Sequence, residues 1–299
     1  MQNRRRILYI ALAGIALTAC SNADEPSLPQ VKDGVAISFS TSMEALTTEK
    51  QSRATTVDYD NIQNFKVYAA EWDSGNNFQC YIMEGEEVMK GSDGSWTTKI
   101  PYYWPTDGRT LSFYAYTPAN VDGFILTNHW EAPEKARFYY EPPSNPKNQT
   151  EIIFTDLTDK INNADKPQEK VNLYFRHILS LIYFRINGDA KRLESISLSN
   201  IYGCGGYSVG AYRQNVWDNK DYSGEKDGFR TSYTIDVPED GIIGEEQRMI
   251  IVPQQTPGDA ILEFRFRDGS YRSVNFGWRV LKYDGINYIN VTLPAEQPA

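Results

Sequence analysis

Val171-Asn172-Leu173-Tyr174-Phe175-Arg176-His177-Ile178-Leu179-Ser180-Leu181-Ile182-Tyr183-Phe184-Arg185-Ile186 is the stretch on which the fold turns. Val171, Leu173 and Phe175 alternate with more polar neighbours, as on a strand with one face inward. The inward set then changes phase, and Ile178, Ile182, Phe184 and Ile186 take over. A bulge near Arg176-His177 produces such a shift, and so does a strand that crosses between two sheets.

The same alternation recurs on both sides. Val35-Ile37-Phe39, Phe65-Val67-Ala69, Leu111-Phe113-Ala115, Tyr233-Ile235-Val237, Leu262-Phe264-Phe266 and Ile289-Val291-Leu293 each read as a short strand. Asp73-Ser74-Gly75-Asn76, Ser92-Asp93-Gly94-Ser95, Asp107-Gly108, Asn187-Gly188-Asp189, Asp268-Gly269 and Asp284-Gly285 supply turns between them. Aromatic residues make up 13% of the chain, which suits half-buried pleated surfaces. No stretch has convincing helical spacing. The best candidate, Ile152 to Ile161, reads equally well as a strand and a turn. The expected class is all-β, built as sandwiches.

The N-terminus is an address. Arg4-Arg5-Arg6 precede an apolar run of 13 residues, Ile7 to Ala19, too short for the roughly 20 that span a bilayer. Residues 1–19 are therefore expected to be a signal peptide. Leu17-Thr18-Ala19-Cys20 resembles a bacterial lipobox, which implies a lipid on the Cys20 sulfur and attachment to the outer membrane. Ser21-Asn22-Ala23-Asp24-Glu25 resembles the acidic stretch that sends Bacteroidetes lipoproteins to the cell surface. Residues 20–34 read as a tether, 35–168 as an N-terminal sandwich domain and 169–299 as a C-terminal one. The boundary falls at the end of the polar, proline-bearing stretch 141–170.

Loss of the three leader arginines takes the net charge from −9 to −12. Such a polyanion is a poor ligand for nucleic acid, whose binding rests on Lys and Arg at phosphates. Cys80 and Cys204 are expected as two buried free thiols, with one disulfide as the alternative.

Catalytic chemistry is hard to find. His177 sits in the most apolar stretch and reads as a hydrogen-bonded structural residue. His129 has no zinc-ligand pattern near it. There is no Gly-x-Ser-x-Gly elbow, and Gly203-Cys204-Gly205-Gly206 lacks the sequel of a phosphate loop and reads as a turn or bulge. Asp156, Asp159, Asn162, Asn163 and Asp165 are dense but lack a calcium-loop register, so they read as a solvated loop. A glycosidase needs only two carboxylates, and none is marked as such a pair. Trp72 and Trp130 are candidates for stacking on sugars if they are exposed, with a place in the core as the default for an aromatic residue. The expectation is a non-enzyme with no cofactor and no metal.

Three further segments carry a family resemblance. Tyr102-Tyr103-Trp104-Pro105 with Leu111 to Pro118, Phe175-Arg176-His177-Ile178-Leu179-Ser180, and Ile251-Val252-Pro253-Gln254-Gln255 resemble, in this order, motifs of the fimbrillin family of Bacteroidetes pilins. The final strand, Tyr288 to Leu293, also fits. The resemblance implies two tandem transthyretin-like (Ig-like, Greek-key) β-sandwiches and assembly with other fimbrial subunits by strand exchange. It also implies a lipoprotein precursor cut by a trypsin-like protease in the loop after the first strand. The matching bond lies between Arg53 and Ala54, in a polar, Ser/Thr-rich segment.

Only Pro294 to Ala299 follow Leu293, which favours a tip or anchor role over a stalk role, unless Ile286 to Leu293 itself swings out as the donor. A non-polymerising, glycan-binding surface lipoprotein is the alternative function. Either kind of protein would meet a host or bacterial surface receptor.

Overall fold

Phe65, Val67 and Ala69 are fully buried on β2 (Asn64–Trp72), inside a seven-stranded sheet. Here and below, the computed structural model describes residues 34–43, 62–128, 130–162, 169–210, 217–283 and 285–294. The sheet runs in the order β1 (Phe39–Met43), β9 (Val171–His177), β8 (Ile153–Thr155), β5 (Thr110–Thr117), β2, β3 (Phe78–Lys90), β4 (Trp96–Thr98). It is strongly rolled. Phe65 on β2 and Phe175 on β9 stand three places apart in that order, which on a flat sheet is about 14 Å. Their ring centroids are 5.7 Å apart. Curling lets the sheet cover its own concave face, where Phe65, Phe113, Trp96 and Leu173 form a core.

The opposite face is buried too. Tyr68, Tyr114 and Tyr116 lie there, and each is under 8% exposed. They pack on a second sheet of β13 (Trp217–Asp218), β12 (Gly205–Ser208), β7 (Arg137–Tyr140) and β6 (Ile125–Leu126). This sheet pairs strands from both halves of the chain, with Tyr207 opposite Phe138. Gly206 leaves room for the Arg137 side chain. A Cβ there would stand 2.0 Å from the Arg137 guanidinium, which reaches Asp218 at 2.9 Å.

The third core belongs to residues 182–293. One wall is β15 (Met249–Ile251), β10 (Ser180–Asn187) and β20 (Gly285–Thr292). The other is β14 (Arg230–Asp236), β11 (Leu193–Tyr202), β17 (Ile261–Phe266) and β18 (Tyr271–Asn275). Tyr233, Ile235, Leu262 and Phe264 point inward as the alternation predicts. A short ladder of β16 (Gln254–Gln255) and β19 (Val280–Leu281) closes one end. Gln254 is buried there, accepting from Tyr202 N at 2.9 Å and donating to Tyr202 O at 3.0 Å.

Of the two explanations for the phase shift, crossing between sheets is the one observed. β9 pairs in the rolled sheet and β10 in the three-stranded wall, with only Ile178-Leu179 between them. Both are buried. Nearby, the His177 Nδ1 atom meets Glu151 Oε1, and both side chains are 2% exposed. Arg176 pairs with Asp156. Residues 152–161 hold no helix: β8 is followed by extended chain, where Ile161 and Leu111 exchange backbone bonds of 2.7 and 3.0 Å. Gly203-Cys204 joins β11 to β12, as a turn between strands should. Cys204 is a free, buried thiol. Cys80, half-buried on β3, is instead disulfide-bonded, and not to Cys204, so the expectation of two free thiols holds for Cys204 alone.

Two predictions follow from buried polar groups. Tyr114 donates to Tyr81 Oη at 3.2 Å, and Tyr81 donates to Glu131 O at 3.2 Å. Burial pushes the Tyr81 and Tyr116 phenols up to about 12, against about 10 in an unfolded chain. The neutral phenol is therefore favoured by folding. Its stabilisation is complete below pH ~10 and lost as pH rises toward ~12. Urea denaturation across that window should show falling stability, with a shallower fall in Tyr81→Phe. In Glu151→Ala, His177 loses its partner in a dry site, and urea midpoints should report a loss of about 3–5 kcal/mol.

Candidate functional site

The segment from Val35 to Met43 is gripped from both sides. Its first half runs antiparallel to residues 102–104: Ile37 N donates to Tyr102 O at 2.8 Å, and Trp104 N donates to Val35 O at 3.0 Å. Its second half, β1, runs parallel to β9, from Phe39 opposite Val171 to Met43 opposite Phe175. Between the halves, Val171 N donates to Ser38 O at 2.8 Å. The segment thus fills a slot between two stretches distant in sequence. Phe39 drives it home. It is 2% exposed, with ring centroids 5.9 Å from Phe65 and 6.0 Å from Phe113. Thr41 is buried beside it, while Val35, read from alternation as inward, is 42% exposed.

Tyr102-Tyr103-Trp104 is the part of this site that sequence reading missed. Trp104 is buried, with its ring centroid 5.7 Å from that of Phe113. That the backbone around it forms one wall of the slot had no local signal. The opposite terminal strand, β20, also lies at a sheet edge and pairs in parallel with β10 through eight residue pairs. Cys20, Arg53 and Ala54 lie outside the described residues, as does His129. Arg53 and Ala54 belong to the connection between β1 and β2.

Other candidates are satisfied locally. A cleft of about 400 Å³ is lined by Trp72, Ser112, Glu134, Asp156, Lys160 and Gly210. Trp72, a candidate for sugar stacking only if exposed, is 4% exposed. Its Nε1 donates to Ser112 Oγ at 2.8 Å, and the Lys160 ammonium sits 3.5 Å from the ring centroid. The face is therefore taken. Trp130 is 67% exposed. Asp156 is held by Arg176, and among the described residues no three His, Cys, Asp or Glu side chains converge to hold a metal.

Comparison with known proteins agrees with this architecture. The chain is similar in fold to a proposed cell adhesion protein from Bacteroides ovatus, with 14% identity and a TM-score of 0.57 over 87% of this chain and 93% of that one. A fimbrial protein from Bacteroides vulgatus gives 14% and 0.54, covering 87% and 96%. A proposed cell adhesion protein from Bacteroides uniformis gives 13% and 0.54, covering 89% and 94%. No curated protein matches the chain. The sequence profile of the fimbrillin-like family matches residues 52–288, most of the chain, and the protein belongs to that family.

Proposed function

We propose that this protein is a fimbrial subunit or an accessory or tip adhesin, carried to the outer membrane as a lipoprotein on Cys20 and displayed at the cell surface. Cleavage between Arg53 and Ala54 then frees the first strand, and a strand from another subunit takes its place. In this reading the molecule folds as two tandem sandwiches. The observation that carries the proposal is the seating of residues 35–43, whose backbone is bonded on both flanks and whose Phe39 plugs an apolar slot. Family membership supports it.

The energetics favour replacement once the strand is gone. Departure leaves backbone donors and acceptors on β9 and on residues 102–104 without partners, beside an apolar slot. An incoming strand restores both kinds of contact. β20 is a suitable donor because, among the described residues, it is held to one neighbour only.

Limited trypsin digestion of the purified precursor tests the cleavage. An early cut after Arg53, followed by oligomers in the cleaved protein but not in the intact one, is the expected result by size-exclusion chromatography. Resistance at Arg53 while other sites are cut sinks the mechanism. In the uncleaved protein, Phe39→Ala should lower stability by about 3–5 kcal/mol in urea unfolding, from lost transfer energy and the cavity left behind.

A further inference from the structure

β18 is an edge that its own sandwich does not cover. Among the described residues it pairs with β17 alone. All five of its residues are exposed. Register fixes which way they point. Val274 stands opposite Leu262 and Arg272 opposite Phe264, so the two share the core-facing side of the sheet. Leu262 and Phe264 are 4% and 6% exposed, whereas Val274 is 50% exposed. The core face of this wall therefore continues past the strands that cover it. The opposite wall has three strands against its four.

The strand and the chain just after it expose further apolar side chains. Tyr271 is 75% exposed, Trp278 69% and Val280 65%. Trp278 is not loose: its indole lies against Gly258, where a Cβ would come within 2.9 Å of Nε1. Charge marks the same region. On a chain of net charge −9, residues 265–282 hold Arg265, Arg267, Arg272, Arg279 and Lys282 against Asp268 alone. Arg265 is paired with Glu194, and Arg267 donates to backbone carbonyls. Arg272 forms no ion pair among the described residues.

An inward-pointing charge on an edge strand ordinarily guards against pairing with other chains. Here the same strand also exposes Tyr271 and Val274. We propose that β18 is a docking edge for an extended, acidic segment of a partner polypeptide, which adds as the fifth strand of this sheet. The open backbone row calls for a backbone partner, and Arg272 calls for a carboxylate; the Arg279 guanidinium already donates to Phe276 O at 3.3 Å. Tyr271, Val274 and Trp278 supply apolar contact. This site lies in a different sheet from the slot of residues 35–43 and needs no cleavage, so it stands or falls apart from strand exchange.

Isothermal titration calorimetry and amide hydrogen exchange on the full chain test the proposal. The probes are an alternating valine–glutamate peptide, its valine–lysine counterpart and polygalacturonate. The acidic peptide should bind at least about tenfold more tightly than the basic one, a difference of about 1.4 kcal/mol. It should slow exchange within Tyr271–Asn275. Arg272→Glu should reverse the preference, and of two versions N-methylated on the valine or the glutamate amides, at least one should fail. The idea is overturned if the acidic peptide does not bind, or binds without protecting β18. It is equally overturned if both methylated versions bind unimpaired, or if polygalacturonate alone binds.

Discussion

The passage of the chain through Ile178-Leu179 is the constraint on which the rest of the structure depends. A strand that leaves one sheet and enters another without a loop must give up ladder partners at the crossing. Buried backbone groups there need substitutes. At Ile178 the carbonyl accepts from the Trp217 Nε1 atom, and the amide donates to Ile152 O at 3.5 Å. The His177–Glu151 pair sits on the last rung before the crossing, where His177 stands opposite Ile153. A buried pair of this kind adds little net stability, because desolvation offsets attraction. Its effect is to make other registers of β9 costly, since a slip by one residue would place His177 on the wrong face.

Three cores follow from that crossing. One draws only on residues up to Phe175 and another only on residues from Ile182 onward, while the third takes from both sides. The shared core is the tyrosine-rich one, with Tyr68 stacked on Tyr114 at 4.8 Å and Phe124 on Phe138 at 4.6 Å. Tyrosine suits a layer between two sheets. Its ring fills the interior while its hydroxyl reaches a neighbouring hydroxyl or carbonyl, as Tyr81 and Tyr114 do.

Much of this was legible in the sequence, and the failures have physical causes. Period-two runs located the strands, and the phase shift after Phe175 located the crossing. Taking Phe65, Val67 and Ala69, and Leu111, Phe113 and Ala115, as inward sets leaves Tyr68, Tyr114 and Tyr116 on the other face of their strands. They are buried because the rolled sheet is a middle layer, and layering is a long-range property. Trp72 could not be assigned from sequence for a related reason: the lysine covering it lies far along the chain. β18 carried no signal that was read from sequence: Val274 lies on the core-facing side, and the unequal number of strands in the two walls leaves it open. Of the strand slot, Phe39 was visible and the wall at residues 102–104 was not, because pairing between distant segments leaves no mark in either.

The three edges differ in what their connections permit. β1 and β20 run parallel to their neighbours β9 and β10. Parallel neighbours are never joined by a tight hairpin, so neither terminal strand drags its partner along when it moves. Removal costs the ladder and the buried side chains, and no turn has to be undone. β18 is bound differently. It is tied to β17 through Asp268-Gly269, where Phe266 N donates to Ser270 O at 2.9 Å and Gly269 N donates to Phe266 O at 3.0 Å. A strand locked in a hairpin in this way is ill suited to leave its sheet. Its remaining option for satisfying an open edge is to receive a strand, so topology alone separates the edges that can be given up from the one that can only accept.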